Sequence, residues 1–270
     1  MRYRSAPLAV LAAFALTAPG AAAAEAPLTA AAVAERSMQA MGGREAFDRA
    51  RLLRFDFRVA RDGEELSRFR HWWDRFTGAY RLEGLSSDGE PFRVLFDVDS
   101  RDGRAWRAGA ELAGDEAREL LDYAYRRFIN DTYWLLMPWK WLDPGVRLEL
   151  VGRQEVDGVA YDLVTLTFEA GVGLTSGDRY WAFVSPETDR MERWQYLLQT
   201  EDGEPGSGEP TVWAWEDWQP TQAGILLARN RRKLGAGPRV EIGFPVAELT
   251  ADPTEEALRE ALAPPPPAPR

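Results

Sequence analysis

The chain contains a single histidine, His71, and this residue is the first candidate for acid-base or metal chemistry. Its neighbours are arginine and tryptophan, with one carboxylate, Asp74, three positions further on. A zinc site built on His71 would depend on carboxylates alone, because the sequence has no second histidine and no cysteine. We therefore interpret His71 as a strand histidine whose hydrogen bonds are satisfied within the fold.

A serine hydrolase would combine His71 with a serine nucleophile in a recognisable strand-turn-helix setting. The sequence has no G-x-S-x-G motif, and Ser176 and Ser207 lie in glycine-containing stretches that are typical of turns. Loop formation explains both serines, so we assign no catalytic residue.

Carboxylates are abundant, and with 43 acidic residues some must lie close together in any fold. A catalytic pair of carboxylates, as in a glycosidase, therefore remains an alternative. No pair is marked by its surroundings. Asp97 with Asp99, and Glu216 with Asp217, are more typical of strand edges and turns. Phosphate-binding, dinucleotide-binding and calcium-binding motifs are also missing from the sequence. We therefore predict neither a cofactor nor a metal site.

Tryptophan is the second unusual feature: the chain has 11, and the segment 123–145, YAYRRFINDTYWLLMPWKWLDPG, contains the main apolar block. Such aromatic residues could line a lipid or sugar surface, or they could pack a core, which is their commoner use on strands. Trp213 and Trp215 share one face by alternation, whereas Trp218 lies on the other face unless a bulge intervenes. The candidate ligand-binding residues are Phe55, Phe57, Tyr133, Trp134, Met137, Trp139 and Trp141.

The apolar block is predicted to consist of a helix followed by a flap. Asp115 is the predicted cap of a helix that runs to about Asn130, with apolar residues close to helical spacing. We interpret the polar triplet 130–132 as the cap of the following turn, and the alternative is a polar clamp on a ligand or partner. Residues 134–141 then form a broken apolar flap, which Asp-Pro-Gly at 143–145 ends with turn chemistry.

Most of the remaining chain alternates between apolar and polar residues, and Asp-Gly pairs at 62–63 and 157–158 are typical of tight hairpins. The pattern predicts a mainly β fold with a few helices, in which about eleven strands form an antiparallel meander in one domain. Thr29 caps a helix before the strands, and a helix over 253–262 follows them. The predicted strands cover 53–59, 66–74, 79–83, 92–98, 104–107, 146–151, 159–168, 179–184, 191–198, 211–218, 224–234 and 240–242.

Residues 1–24 resemble a signal peptide, with Arg2 and Arg4 before an apolar run and a small-residue cleavage site that ends at Ala24. The run is shorter than the about 20 residues that span a membrane. A retained N-terminal anchor is the alternative. We expect cleavage near Ala24 and a periplasmic or secreted protein, with one domain over 25–262 and a Pro-rich tail over 263–270.

The composition limits chemistry and partners. Without cysteine the chain has no disulfide, no thiolate metal site and no lipid-modified N-terminal cysteine. A hydrophobic content of 45% over this length can supply a core on its own. The formal charge of −10 argues against nucleic acid and anionic membrane surfaces as partners. We expect a monomer.

Three stretches, HWWDRFTGAYRLEG, RRFINDTYWLLMPWKWLDPGV and DRYWAFVSPETDRMERWQY, resemble an uncharacterised family of exported bacterial proteins. The order of elements over 28–249 resembles the lipoprotein-sorting carrier (LolA/LolB-like) fold. This resemblance implies a strongly curved antiparallel half-barrel, with the N-terminal helix and the helical insertion covering its concave face. It also implies an apolar cavity for acyl chains between the sheet and the helices.

These observations favour a soluble periplasmic binding or carrier protein for a lipid, lipoprotein or other apolar ligand, with the 134–141 flap as part of a lid and no catalytic activity. The first alternative is an envelope hydrolase that acts on lipid or glycan without a known motif. The second is a cell-envelope module that binds another protein through its tryptophan block. A deep apolar cavity beneath the block favours the carrier, whereas a filled interior leaves the block as a core element.

Overall fold

The computed structural model describes residues 27–266, so the predicted signal peptide and the last four residues of the tail lie outside the described residues. The helices are α1 (Ala30–Ala40), α2 (Arg44–Arg49), α3 (Gly114–Leu136) and α4 (Glu255–Ala261), and a 3₁₀ turn (Met137–Lys140) continues α3. The strands are β1 (Leu52–Arg61), β2 (Glu64–Asp74), β3 (Ala79–Leu85), β4 (Pro91–Asp97), β5 (Gly103–Arg107), β6 (Ala110–Glu111), β7 (Val146–Val156), β8 (Val159–Phe168), β9 (Arg179–Val184), β10 (Met191–Leu197), β11 (Thr211–Pro220), β12 (Leu226–Leu234), β13 (Val240–Gly243) and β14 (Ala247–Thr250).

Local sequence signals account for both ends of α1. The Thr29 hydroxyl accepts a hydrogen bond from the amide of Ala32 (3.1 Å), which confirms Thr29 as the N-cap. Gly42 follows the helix with a φ of 118°, a conformation that L side chains rarely adopt. A Cβ at this position would also meet the carbonyl oxygen of Gly224 at 2.5 Å. Glycine therefore lets the end of α1 approach the chain that enters β12.

Two Asp-Gly pairs form the tight hairpins predicted for them. Asp62 and Gly63 join β1 to β2 with φ values of 52° and 89°, and Asp157 and Gly158 join β7 to β8 with values of 54° and 79°. Two successive positive φ angles suit the right-handed twist of the flanking strands. These turns fix the register of the two longest hairpins.

The strands form one open antiparallel sheet. Their order is β6-β5-β4-β3-β2-β1-β13-β12-β11-β10-β9-β8-β7, and β14 shares the edge of β1 with β13. The chain runs outward from β1 to β6, crosses through α3 to the other edge at β7, and returns to β1. At 1.5 Å per residue, α3 is roughly 34 Å long and can span the sheet. The predicted curved half-barrel, with helices covering one face, is confirmed.

The core on this helix-covered face has two parts. In the first part, Leu120 and Ala124 of α3 pack against apolar residues of β2 to β5. In the second and larger part, α1, α2, the end of α3 and the 3₁₀ turn pack against β1 and β7 to β14. Helix α3 contributes to both parts, so it ties the two halves of the sheet together.

Helix α4 lies on the opposite face of the sheet. The Arg81 guanidinium donates to the carbonyl oxygens of Glu260 (3.0 Å) and Ala261 (2.9 Å), at the negative end of α4. The same guanidinium lies 3.9 Å from the ring of Trp72, which is consequently buried although it faces away from α3. The prediction of a helix within 253–262 is confirmed.

The sheet has 14 strands, where about eleven were expected and twelve ranges were predicted. The additional strands include β6 and β14, which are too short to show alternation. Helix α3 begins at Gly114, and Asp115 lies in its first turn, where its side chain accepts from Arg118 (2.8 Å). The N-cap is Ala113, so the prediction that Asp115 caps the helix was wrong by two positions.

Candidate functional site

His71 is the centre of a buried polar network between β2 and α3. Its Nε2 lies 3.1 Å from Oδ2 of Asp131, and its Nδ1 lies 2.7 Å from the hydroxyl of Tyr80. An ionised carboxylate only accepts, so Nε2 carries the proton and the Tyr80 hydroxyl donates to Nδ1. Burial lowers the pKa of His71, although Asp131 opposes that shift, and the ring is neutral. The interpretation of His71 as a strand histidine with satisfied hydrogen bonds is therefore confirmed for Nδ1, whereas Nε2 lies within ion-pair distance of Asp131 without hydrogen-bond geometry.

Asp131 anchors this network to helix α3. It accepts hydrogen bonds from Nε of Arg127 (2.9 Å) and from the amide group of Asn130 (2.8 Å). The Arg127 guanidinium in turn rests over the ring of Phe69, 4.1 Å from its centroid. Asp131 and His71 are both completely buried, and residues 27–266 contain no group of three or more potential metal ligands. The network is built to attach α3 to β2, and no substrate can reach its histidine in this conformation.

The triplet Asn130-Asp131-Thr132 lies inside α3 and not at a helix end, so the preferred interpretation as a cap was wrong. The Thr132 hydroxyl donates to the carbonyl of Phe128 (2.6 Å), and the Asp131 carboxylate crosses to the sheet. Both polar side chains therefore find partners without interrupting the helix. Through Asp131 the triplet holds the helix against its own sheet.

Beyond Asp131, the last turn of α3 meets an aromatic region. We define the aromatic cluster as Tyr133, Trp134, Tyr180, Trp194, Tyr196, Trp213 and Trp215. Trp134 lies 5.0 Å from Trp213 and 6.1 Å from Trp194, measured between ring centroids. Trp194 in turn lies 4.6 Å from Tyr180 and 6.1 Å from Trp215. The rings come from α3 and from β9, β10 and β11, whose alternate residues face the helices.

The seven predicted ligand-binding residues occupy two places. Tyr133 and Trp134 are half-buried members of the aromatic cluster. The other five are at most 2% exposed: Phe55, Phe57, Met137, Trp139 and Trp141. Trp139 stacks on Phe47 of α2 at 4.7 Å, so the flap packs between the helices and the sheet. In this conformation these five residues belong to the packed core, which is the outcome that favours a core element over a ligand cavity beneath the flap.

Arg231 of β12 is a residue that sequence reasoning missed. It is completely buried and pairs across the sheet with Trp215, whose ring lies 3.8 Å from its guanidinium carbon. A second ring, that of Phe244, lies 4.4 Å away on the same guanidinium. The guanidinium donates to two main-chain carbonyls, those of Ala228 and, at 3.4 Å, Leu135. Burial, and then the nearby charge of Arg229, lower the pKa of Arg231.

The aromatic cluster also contains hydrogen-bond donors without acceptors. Within the described chain, the indole N–H groups of Trp194, Trp213 and Trp215 are buried and have no hydrogen-bond partner, and neither has Nε of Arg231. Trp218 adds another such donor, and its ring lies 6.4 Å from Trp215 because the left-handed φ of Asp217 (59°) interrupts the alternation. Similar buried N–H groups without a partner occur elsewhere in the described chain, for example in Trp73, Trp139 and Arg107.

Two grooves of the described chain lie on the face opposite to the flap. The larger, of about 880 Å³, is lined by charged residues including Arg68, Arg70 and Glu83, and by Pro265 of the tail. The smaller, of about 340 Å³, lies beside α4 and Trp72. Most of these charges are already paired: Glu83, for example, contacts Arg81 at 3.0 Å. Both grooves combine charged and apolar side chains, and the larger includes Leu66, Leu85 and Trp106.

Comparison with known proteins gives structural neighbours only. No family model matches the chain, and no curated protein matches it. A DUF1329 family protein from Desulfovibrio piger is 13% identical with a TM-score of 0.46, over 87% of this chain and 99% of that one. A LolA superfamily protein from Nitrosomonas europaea is 13% identical with a TM-score of 0.46, over 85% and 97%. An outer membrane lipoprotein-sorting protein domain from Vibrio parahaemolyticus is 9% identical with a TM-score of 0.42, over 84% and 97%. The neighbours are of the kind that the sequence resemblance predicted.

Proposed function

We propose that the protein is a non-catalytic binding or carrier protein of the bacterial cell envelope that holds a lipid, lipoprotein or other apolar ligand against the helix-covered face. The observation that carries this proposal is the aromatic cluster. Its rings come from three adjacent strands and from the end of α3, the segment that contacts them directly, on a face that α1 and α2 also cover. Such a surface offers contact to an apolar chain once that segment moves.

The energetics of the surface fit an acyl chain. Each methylene group buried from water contributes about 0.8 kcal/mol, so a chain of ten contributes about 8 kcal/mol before the cost of ordering it. Aromatic and aliphatic side chains can supply that burial without any catalytic group. The candidate residues Tyr133 and Trp134 already lie at the half-buried margin of the cluster, where a ligand would first make contact.

The attachment of α3 defines the part that would act as a lid. The middle of the helix is fixed to β2 through Asp131 and His71. The following 134–141 flap is held mainly by apolar packing, such as the stacking of Trp139 on Phe47. Opening beyond Asp131 would expose the aromatic cluster, together with the buried candidates Met137, Trp139 and Trp141, while the first half of the core stays packed.

The proposed location is the periplasm or the exterior, after cleavage near Ala24. This part of the proposal rests on the sequence, because residues 1–24 lie outside the described chain. Within residues 27–266, no helix is long and apolar enough to cross a bilayer. Neither alternative gains a specific observation, since His71 gives a hydrolase no accessible base and no described groove is lined by the flap.

Native mass spectrometry of the protein purified from the periplasm tests the proposal. We expect a bound species that organic extraction releases, and a lower occupancy for Trp134→Ala, which removes a ring from the margin of the cluster. Phe76→Ala is the matched control, because Phe76 is an exposed aromatic residue outside the cluster. A clean ligand-free mass after several mild preparations would overturn the proposal.

A further inference from the structure

We propose that the aromatic cluster ends in a site for an anionic head group, so that the ligand is an amphiphile whose carboxylate or phosphate is bound by Arg231 and the neighbouring indole N–H groups. This inference rests on the proposed function and specifies its ligand. It is carried by two independent observations: a buried charge without a counter-charge, and a set of unpaired buried donors.

The first observation is the charge of Arg231. A guanidinium stays protonated under all ordinary conditions, and a buried charge is normally paired because its desolvation is costly. Arg127 follows that rule with Asp131 (2.7 Å). The half-buried Arg75 instead resembles Arg231: it donates to two carbonyls beside two aromatic rings and has no ion pair within residues 27–266. Arg231 has only two carbonyls and two aromatic rings around it, and no carboxylate of residues 27–266 forms an ion pair with it.

The main-chain contacts of Arg231 do not complete its hydrogen bonding. Its bond to the Leu135 carbonyl is long, at 3.4 Å, and its Nε has no acceptor in the described chain. The Leu135 carbonyl belongs to the last turn of α3, whose negative end attracts a cation. Arg231 therefore holds the closed lid only weakly, and it is released for a stronger acceptor when the lid opens.

The second observation is the chemical uniformity of the unpaired groups. The indole nitrogens of Trp194, Trp213 and Trp215 and Nε of Arg231 are all donors, and an indole nitrogen cannot accept. Packing alone would be served equally well by phenylalanine, which has no N–H to leave unpaired. A carboxylate or a phosphate group supplies several acceptors for donors of this kind.

A second cation lies on the same strand as Arg231. Lys233 is exposed and lies opposite Trp213, two residues along β12 from Arg231. The carboxylate of Asp178 is already engaged: it accepts from Tyr180 (2.6 Å) and from the amide of Gln199 (2.7 Å).

The test compares three amphiphiles with the same chain of sixteen carbons and different head groups. Palmitate and hexadecyl phosphate are the anionic probes, and 1-hexadecanol is the neutral one, with affinities measured from the quenching of tryptophan fluorescence. We expect both anions, or the one that fits, to bind at least about 10-fold more tightly than the alcohol, as expected for hydrogen bonds to a charged group. The anion that binds with the higher affinity identifies the head group.

Substitution of the arginine then assigns the preference to a residue. Arg231→Met should weaken binding of the preferred anion by about 10- to 100-fold and leave 1-hexadecanol within about 3-fold of wild type. Arg232→Met is the matched control, because Arg232 is next in sequence but pairs with Glu216 and is partly exposed. It should keep the full preference for the anion.

If Arg231→Met does not fold, the inference can be tested on the wild-type protein. With ¹⁵N-labelled tryptophan, palmitate should move several indole N–H resonances downfield, whereas 1-hexadecanol should move them less. Equal affinities and equal shifts for all three probes would overturn the anionic site and leave the proposed carrier intact. Failure of every probe to bind would count against the proposed function as well.

Discussion

Helix α3 crosses two regions of one sheet face that treat buried polar groups in opposite ways. In the first region, His71, Asp131, Arg127 and Tyr80 pair with one another, and each charge lies next to its opposite. In the second region, Arg231 has no counter-charge within the described chain, and three indole donors around it have no acceptor. Buried donors without a hydrogen-bond partner occur in both regions, including Nε2 of His71 and Nη2 of Arg127, so the regions differ chiefly in that Arg127 has a counter-charge and Arg231 has none among the described residues.

The middle of α3 attaches the helix to the sheet, whereas the end of α3 covers the proposed binding region. A buried carboxylate that accepts from three side chains holds the middle of α3 in one position, because breaking it would leave several charges unpaired. The end of the helix is held by apolar contacts and a long hydrogen bond, which cost less to break. Mutations in the two regions should therefore have different effects on stability and on ligand binding.

The largest effect is expected from Asp131→Asn. The substitution removes the negative charge from the network and leaves Arg127 and His71 facing a neutral amide. We expect the free energy of unfolding to fall by about 3 kcal/mol, because loss of one partner strands the other buried charge. Urea denaturation followed by tryptophan fluorescence measures the change, with the denaturant slope checked for two-state behaviour.

Asp122→Asn is the control for this prediction. Asp122 lies on the same helix but is exposed, so its substitution should change the free energy of unfolding by less than about 0.5 kcal/mol. A similar small change for both variants would show that the first region is not an attachment point.

The sequence predicted the sheet better than it predicted the site, and particular residues show why. Alternation and the Asp-Gly turns at 62–63 and 157–158 are local signals, and the structure has the hairpins that they predict. The end of α3 was placed too early because the partner of Asp131 is His71, which is distant along the chain. Arg231 was missed because its face depends on the register between β11 and β12, and a charged strand does not reveal that register.

The pH dependence of stability gives a smaller effect that is specific to the first region. The pKa of His71 is lowered in the folded state, so below a pH of about 6.5 the unfolded chain binds the additional proton. Stability therefore falls as the pH is lowered through that value toward the folded pKa. The loss between pH 7.5 and 5.5 should be at most about 1.4 kcal/mol for one proton.

Because His71 is the only histidine of the chain, its contribution can be isolated. His71→Gln keeps an amide donor toward Asp131 and does not titrate, so its stability should depend less on pH over this range than that of the wild type. Denaturant unfolding at several pH values compares the two slopes. Parallel slopes would mean that carboxylates alone set the pH dependence and that His71 titrates as it does in water.

Among the substitutions of buried residues, the smallest effect on stability is expected from Arg231→Met, although this variant should lose the most in anion binding. The substitution breaks two hydrogen bonds to carbonyls and two contacts with aromatic rings, but it also removes a buried charge whose desolvation costs several kcal/mol. These terms oppose each other, and we expect the free energy of unfolding to change by less than about 1 kcal/mol. Urea denaturation of the ligand-free protein measures this directly. A loss as large as that of Asp131→Asn would mean that Arg231 is a structural residue like those of the first region, whereas a stable variant that no longer prefers anions would mean that the charge is kept for a ligand.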